Sequence, residues 1–285
     1  MNLRFCFRLL CCIVLLSLTI GAAEDIPHPF FFFVVTDPQL GMYDHNRDLS
    51  RESENLEKLV AAANRLHPAF IVNCGDIVNR PGDSREIKRY QSIMAKLDSH
   101  IPVYNVPGNH DLKNRPTSES LAAYRRAFGP DYYTFDFQGF EGIVLNSSLI
   151  KCPELVPREA EEQSAWLQTV LARVHDHPVG EVVIFQHIPW FLHDADEAEN
   201  YSNLPPLERS EYFDRFSQAG IHFIFAGHYH DNALGSEEGI QMRTVSALGK
   251  PLGKAESGFG IVVVKGHELN FTYYPISAPP ERIPM

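Results

Sequence analysis

Residues 30–37 read FFFFVVTD, an apolar run of strand length that ends at an aspartate. A continuous apolar run, without polar alternation, is typical of a strand that is covered on both faces. Runs of the same form return in AFIVNCGD (69–76) and IPVYNVPGNHD (101–111). Amphipathic helical patterns at 50–67 and 83–100 separate the three runs. This β-α-β-α-β order predicts parallel strands joined by right-handed crossovers.

The second half of the chain is richer in strand patterns. YYTFDF (132–137) and EGIVLNSS (141–148) have the form of antiparallel partners. Alternating runs at 240–247, 258–266 and 269–276 predict a terminal meander. Further helices are predicted at 118–129, 158–174 and 207–220, and further strands at 181–187 and 221–227. No Ser/Gly linker divides the chain, so we expect one α/β domain over 24–285, with two packed mixed sheets and helices outside.

The first 23 residues differ from the rest of the chain. Arg4 and Arg8 precede an apolar run, and Gly21 and Ala23 stand where a signal peptidase requires small residues. This pattern predicts a secretory signal peptide over residues 1–23, and therefore a secreted or periplasmic protein. The alternative is an uncleaved membrane anchor. It is disfavoured because the apolar run has 15 residues, fewer than the roughly 20 that span a bilayer. After cleavage we expect no stable membrane insertion.

The mature chain is strongly acidic. Loss of Arg4 and Arg8 with the leader changes the formal net charge from −11 to −13. Such a charge argues against non-specific binding to nucleic acid or to an anionic membrane. An anionic substrate would need local positive charge, which a metal centre supplies. Neither of the two cysteines left, Cys74 and Cys152, has zinc-site spacing. Cys74 is predicted to be a small buried residue, and a disulfide between the two is a less favoured alternative.

Residues with metal-binding chemistry follow five of the apolar runs. In an α/β sheet, ligands gather beyond the carboxyl ends of the strands. Each residue alone has a structural alternative: Asp37 could begin a turn, Asp76 could cap a helix, and His187 could lie in the core. If these polar side chains lay together at one sheet edge without partners, their burial would cost several kcal/mol in folding free energy. The pattern therefore predicts a metal site. The full set is Asp37, Gln39, Asp76, Asn79, Asn109, His110, Asp111, His187, His228 and His230.

Five short blocks carry a resemblance to a known family. DPQ (37–39), GDIVN (75–79), GNHD (108–111), QHIPW (186–190) and GHYH (227–230) together resemble the signature of the calcineurin-like metallophosphoesterases. The sequences of these blocks most resemble those of the branch of CPPED-type serine/threonine phosphatases. The resemblance implies a four-layer α/β/β/α sandwich and two divalent metal ions. It places one ion on Asp37, Gln39, Asp76 and His230, and the other on Asp76, Asn109, His187 and His228.

Gln39 departs from the family pattern, because most members have histidine at this position. An amide oxygen is a harder and weaker donor than imidazole, and the set contains no thiolate. Among Mn, Fe and Zn, we therefore expect Mn or Fe to be favoured. The alternative is that Gln39 does not bind the ion and that a water takes its place.

The resemblance implies hydrolysis of phosphate esters by a hydroxide that bridges the two ions. We expect Asp111 to orient His110, which would protonate the leaving oxygen. The alternative for His110 is a hydrogen-bonding role beside the metal ligands. Asn79, Arg80 and Tyr229 are possible substrate contacts.

The substrate class is the most open part of the interpretation. The favoured function is a secreted phosphomonoesterase for phosphoproteins or small phosphate esters. The alternatives are a phosphodiesterase for nucleotides or phospholipid headgroups, and a non-catalytic metal-binding surface protein. The acidic segment 192–206 is predicted to form a flap beside the site, and it disfavours anionic polymers such as nucleic acid.

Overall fold

The structure is a computed structural model that describes residues 28–177 and 180–285, so the predicted signal peptide lies outside the described residues. The strands are β1 (Phe30–Val35), β2 (Ile71–Asn73), β3 (Val103–Asn105), β4 (Tyr133–Phe137), β5 (Phe140–Val144), β6 (Val182–Phe185), β7 (Phe223–Ala226), β8 (Ala233–Glu237), β9 (Ile240–Thr244), β10 (Gly258–Lys265) and β11 (Glu268–Pro275). The helices are α1 (Ser50–Leu66), α2 (Ser84–Met94), α3 (Asn109–Leu112), α4 (Ser118–Phe128), α5 (Ser147–Lys151), α6 (Pro157–Asp176) and α7 (Pro206–Gln218).

The strands form two mixed sheets. The first has the order β11-β10-β1-β2-β3, with β1, β2 and β3 parallel and β10 antiparallel to both of its neighbours. The second has the order β4-β5-β6-β7-β9-β8, in which β5, β6, β7 and β9 are parallel. The two outer pairs of this second sheet, β4 with β5 and β8 with β9, are antiparallel.

Alternate residues of β1 separate two layers of the core. Phe32 and Val34 point into an apolar cluster between the sheets, where they meet Phe185 and Phe225. Phe33 belongs to a second cluster, with residues of α1, α2 and α4. A third cluster joins the far face of the second sheet to α6 and α7. Because both faces of each sheet are covered, the continuous apolar strands seen in the sequence are required.

This architecture confirms the predicted α/β fold, a four-layer α/β/β/α sandwich of two mixed sheets. The parallel β1-β2-β3 order and the antiparallel β4-β5 pair are also confirmed. Cys74 is buried between the sheets, and it and Cys152 are free thiols, so the disulfide alternative is wrong. No helix among the described residues is both long and apolar enough to cross a membrane.

The predicted terminal meander is correct only for its last two strands, because β10 and β11 are antiparallel neighbours but β9 is not next to β10. β9 pairs with β7 and β8 in the second sheet, whereas β10 and β11 belong to the first. The chain therefore crosses from one sheet to the other between β9 and β10. Three short elements, α3, α5 and β8, were not predicted from the sequence. The crossing matters for the site, because segment 245–257 passes beside Asp37: Gly249 N donates to the Asp37 carbonyl at 2.9 Å.

Candidate metal centre

The loops after five parallel strands bring the predicted ligands to one place. Asp37 and Gln39 follow β1, Asp76 follows β2, and Asn109 follows β3 in the first sheet. The second sheet contributes the three histidines, from the loops after β6 and β7. All seven side chains are buried. The carboxyl edges of the two sheets therefore meet at a single polar cluster inside the sandwich.

The first ligand group surrounds the Nε2 atom of His187. This atom lies 3.3 Å from Asp76 Oδ1, 3.0 Å from Asn109 Oδ1 and 3.2 Å from His228 Nδ1. Donors bound at about 2.1 Å and at roughly right or tetrahedral angles are about 3.0 to 3.4 Å apart. The three separations from His187 Nε2 thus match the spacing of donor atoms around a single small cation.

The second ligand group shares Asp76 with the first. Asp37, Asp76 and His230 place ligand atoms within 4.8 Å of one another, and His230 Nε2 is 3.1 Å from Asp37 Oδ1. Gln39 Oε1 is buried and accepts no hydrogen bond from the described residues. Its amide nitrogen donates to Asn79 Oδ1 at 3.2 Å. A buried oxygen without a donor suits a cation, so Gln39 fits the second group as a ligand.

Each ligand histidine is held by a backbone carbonyl at the nitrogen that faces away from the other ligands. The pairs are His187 Nδ1 with Cys74 at 2.8 Å, His228 Nε2 with Tyr201 at 2.9 Å, and His230 Nδ1 with Lys250 at 2.6 Å. An N–H that donates to a carbonyl leaves the other ring nitrogen free to bind a metal. The carbonyls therefore fix both the ring orientation and the tautomer that a metal ligand needs.

Glycines precede the ligands where the loops approach most closely. A Cβ atom on Gly108 would lie 2.1 Å from Asp76 Oδ1, and one on Gly227 would lie 2.5 Å from Asp37 Oδ2. These distances leave no space for any side chain. The glycine of each GD, GN or GH block is thus explained by close contact with a ligand carried on another loop.

Five of the seven ligands have a left-handed backbone. They are Asp37 (φ 48°), Gln39 (35°), Asp76 (52°), His228 (70°) and His230 (57°). Non-glycine residues adopt this region at a cost of order 1–3 kcal/mol each, and such residues concentrate at functional sites. This backbone conformation forms the tight turns directly after the strands. The turns direct the side chains toward one another.

The two buried carboxylates, of Asp37 and Asp76, are stabilised by nearby positive charge. Burial alone lowers the pKa of His187, yet the carboxylates of Asp76 and Asp37 outweigh burial and raise that pKa to about 9. Burial and the positive charge at His187 lower the pKa of His228 to about 4. Since metal binding displaces protons from its ligands, cations can take over the role of the imidazolium charge.

His110 and Asp111 do not form the predicted pair. His110 Nδ1 lies 3.0 Å from the Asn79 carbonyl. The Asp111 carboxylate instead accepts three backbone amides, from Ile77, Val78 and Gly108, at 2.9 to 3.1 Å. Asp111 therefore ties the loop after β2 to the loop after β3, and the Asn79 carbonyl orients His110. The expectation that Asp111 orients His110 is corrected, whereas His110 remains beside the ligands, with its backbone N–H donating to Asp76 Oδ1 at 2.8 Å.

The predicted substrate contacts occupy different environments. Asn79 faces inward, where its Nδ2 donates to Asn46 and its Oδ1 accepts from Gln39. The structure thus gives Asn79 the role of orienting Gln39. Arg80 is exposed and its backbone N–H donates to buried Glu86 at 2.9 Å. Tyr229, between His228 and His230, is half-buried, and its side chain forms no hydrogen bond within the described residues.

Tyr201 is a site residue that the sequence did not reveal. Its hydroxyl accepts from Asn109 Nδ2 at 3.1 Å, and its ring centre lies 4.7 Å from that of His228. It belongs to the acidic segment 192–206, so the predicted flap does lie beside the site. No periodicity or motif singles out one tyrosine in such a loop.

The fold and the two ligand groups that share Asp76 define a metal-dependent phosphoester hydrolase. The chain belongs to the calcineurin-like phosphoesterase family, whose model matches residues 32–232 and whose members use a dinuclear metal centre. Over 285 aligned residues it is 37% identical to the serine/threonine-protein phosphatase CPPED1 of Danio rerio. The alignment covers 93% of this chain and 91% of the relative. The family prediction made from the five sequence blocks is confirmed.

Solved structures agree with this assignment at the level of the fold. A dimetal phosphatase from Danio rerio superposes with a TM-score of 0.61 at 18% identity, covering 87% of this chain and 96% of that one. A purple acid phosphatase from yellow lupin (Lupinus luteus) seeds gives a TM-score of 0.65 at 14% identity, covering 89% of this chain and 52% of that one.

Proposed function

We propose that the protein is a phosphomonoesterase that acts on phosphoproteins or small phosphate esters through two divalent metal ions. The observation that carries the proposal is the position of Asp76, which belongs to both ligand groups. The similarity to CPPED1, a protein named as a serine/threonine phosphatase, supports a monoester substrate. Gln39 in place of a histidine supports Mn or Fe over Zn in the second group.

The ions, when bound, would polarise the phosphoryl oxygens and generate the hydroxide nucleophile at neutral pH. One would lie among Asp76, Asn109, His187 and His228, and the other among Asp37, Gln39, Asp76 and His230. His110 is the residue we assign to protonation of the leaving oxygen. Its Nδ1 is held by the Asn79 carbonyl, so its Nε2 is the nitrogen that can transfer a proton.

The central experiment combines metal analysis with a panel of phosphate esters. The purified chain without its predicted leader should contain two ions and hydrolyse p-nitrophenyl phosphate faster than bis-p-nitrophenyl phosphate. A preference for the bis ester would establish a diesterase instead. Binding of two ions with no turnover of any ester would support the non-catalytic alternative.

The role of His110 has a separate test. In the His110→Asn variant, hydrolysis of an alkyl phosphate should fall by about 100-fold or more, and that of p-nitrophenyl phosphate much less. The reason is that nitrophenolate leaves without protonation, whereas an alkoxide does not. Equal losses for both esters would exclude His110 as the acid and leave it a hydrogen-bonding role.

We also propose that the protein is exported. Support comes from the charged, apolar and small-residue pattern of residues 1–23, and from the strongly acidic remainder. N-terminal sequencing of the protein recovered from outside the cytosol should begin at Glu24. An intact leader in a membrane fraction would show an anchor instead.

A further inference from the structure

Tyr201 contacts two of the metal ligands without being one. Its hydroxyl accepts a hydrogen bond from Asn109 Nδ2, and its backbone carbonyl accepts from His228 Nε2. The ring packs against the His228 imidazole, with 4.7 Å between the ring centres. Even with these contacts, 57% of the residue is exposed. A large aromatic side chain that touches the metal ligands and is still open to solvent lies at the mouth of the site.

The segment that carries Tyr201 is held in place by two positively charged side chains, one buried and one half-buried. Arg209 is 3% exposed, and its guanidinium donates to the carbonyls of Ala195, Glu197 and Leu204. The Lys151 ammonium donates to the carbonyl of Asn200 at 2.8 Å. Charged donors give stronger hydrogen bonds than neutral ones. These bonds restrain the flap, and with it the position of Tyr201 beside the site.

A second set of contacts fixes the flap from within. The Glu197 carboxylate accepts the backbone amides of Leu192, His193 and Asp194 at 2.7 to 3.1 Å. The backbone amide of Asn200 donates to Asn203 Oδ1 at 2.8 Å, directly before Tyr201. Contacts of this kind reduce the freedom of the loop, so less ordering is needed when a ligand binds.

The Tyr201 hydroxyl has an unused donor. Its oxygen is occupied by the Asn109 amide, and its own proton is donated to none of the described residues. Asn109 Nδ2 also donates to Asn114 Oδ1 at 2.8 Å, so the orientation of the Asn109 amide does not depend on Tyr201 alone. The phenol can therefore donate to a group bound in front of Asn109, where an anionic oxygen is the best acceptor.

We propose that Tyr201 is a substrate-contacting specificity residue, which donates a hydrogen bond to a phosphoryl oxygen and packs its exposed ring face against an aromatic organic group of the ester. This deepens the proposed function and rests on it. The Tyr201 ring is therefore predicted to strengthen the binding of aryl phosphates, such as phenyl esters, and to contribute less to alkyl phosphates of equal charge.

The test separates the hydroxyl from the ring. Tyr201→Phe removes only the hydroxyl, and Tyr201→Leu removes both hydroxyl and ring. Tyr132→Phe is the matched control, because Tyr132 packs on Trp166 outside the metal centre. Three quantities are measured on each protein: bound metal, the dissociation constant of inorganic phosphate by calorimetry on the metal-loaded protein, and kcat/KM for p-nitrophenyl phosphate and glycerol 2-phosphate.

We expect all proteins to bind two ions. Tyr201→Phe should weaken phosphate binding and lower kcat/KM for both esters by about tenfold, the loss of one hydrogen bond to a charged group. Tyr201→Leu should show the same tenfold loss, and a further loss of about fivefold for the aryl ester alone. Tyr132→Phe should match the wild type.

Two results would overturn the proposal. Phosphate affinity within twofold of the wild type in both Tyr201 variants would show that the side chain does not meet the substrate. A fall in bound metal that accounts for the loss would show that Tyr201 acts only through the two ligands it contacts, Asn109 and His228. Phosphate binding also distinguishes this proposal from the proposed function. If the wild type hydrolyses neither ester, calorimetry still reports whether Tyr201 contacts phosphate, and absence of phosphate binding by the loaded wild type would refute both.

Discussion

Substitution of Gly108 by alanine should destroy the metal centre without straining the backbone. Gly108 has φ −105° and ψ 173°, a conformation that any residue adopts. The new Cβ, however, would lie 2.1 Å from Asp76 Oδ1 and 2.3 Å from Asp76 N. Carbon and oxygen atoms approach each other to about 3.3 Å. The Asp76 carboxylate or its loop must therefore move by about 1 Å.

A displacement of this size is large compared with what a metal site tolerates. Ligand distances that differ by more than about 0.2 Å from the preferred values mark a poor site. Since Asp76 belongs to both ligand groups, one methyl group should weaken both metals together. We expect fewer than two bound ions, a loss of activity of about 100-fold or more, and a fall of about 1–3 kcal/mol in the metal-free free energy of unfolding.

Gly82→Ala is the matched control. Gly82 has φ +73°, and a Cβ there would meet nothing within 4 Å. This variant should lose about 1 kcal/mol of stability through backbone strain and keep both ions. Metal is counted by elemental analysis after dialysis, and stability is measured by denaturant unfolding with and without added metal. If Gly108→Ala retains two ions at wild-type affinity, the placement of Asp76 between the two groups is wrong.

Three further changes test other parts of the structure. Asn79→Ala removes the acceptor that orients Gln39. Calorimetric titration should then show that the affinity of one metal site falls by about tenfold and that of the other is unchanged. An equal fall at both sites would contradict this role. Burial, only partly opposed by His267 at 3.7 Å, raises the pKa of Glu181 to about 7. Deprotonation therefore destabilises the fold as pH rises from about 4.5 through 7, and Glu181→Gln should add about 1–3 kcal/mol at pH 8 and less at pH 5 in denaturant unfolding; an equal gain at both pH values would exclude this cause. Arg209→Met removes the donors that hold the flap, so KM for p-nitrophenyl phosphate should rise about fivefold while bound metal stays at two ions; loss of metal would show that the flap supports the centre itself.

Most of the fold could be predicted from the apolar runs in the sequence. A buried parallel strand needs such a run, and in this chain the polar residue stands at its carboxyl end. The error concerned which sheet each late strand joins. Alternation in 240–247 is typical of a half-buried strand, whereas β10 in 258–266 is buried along most of its length. Neither pattern specifies the partner strand, which depends on long-range packing. β8 (Ala233–Glu237) has little strand propensity of its own and is formed by pairing with β9.

The convergence of the seven side chains could be predicted because the chemistry of each residue and its place after a strand agree. The His110–Asp111 pair could not, because adjacent residues in a helix point in different directions. Both residues lie in α3, where Asp111 turns back to the amides of Gly108, Ile77 and Val78. Proximity in sequence was therefore a poor guide to contact.

The strained ligand backbones show how the centre is held together. Five left-handed residues cost of order 5–15 kcal/mol together, which is comparable with the whole stability of a domain. Such a cost persists only where other contacts fix the geometry. Here those contacts are within the protein: Asp111 binds three amides, Asp37 Oδ2 accepts the amide of His228 at 3.0 Å, and backbone carbonyls hold the three ligand imidazoles. All of these bonds join atoms of the protein, and they restrain the loops that carry the seven side chains, so they offset part of the cost of the left-handed backbones.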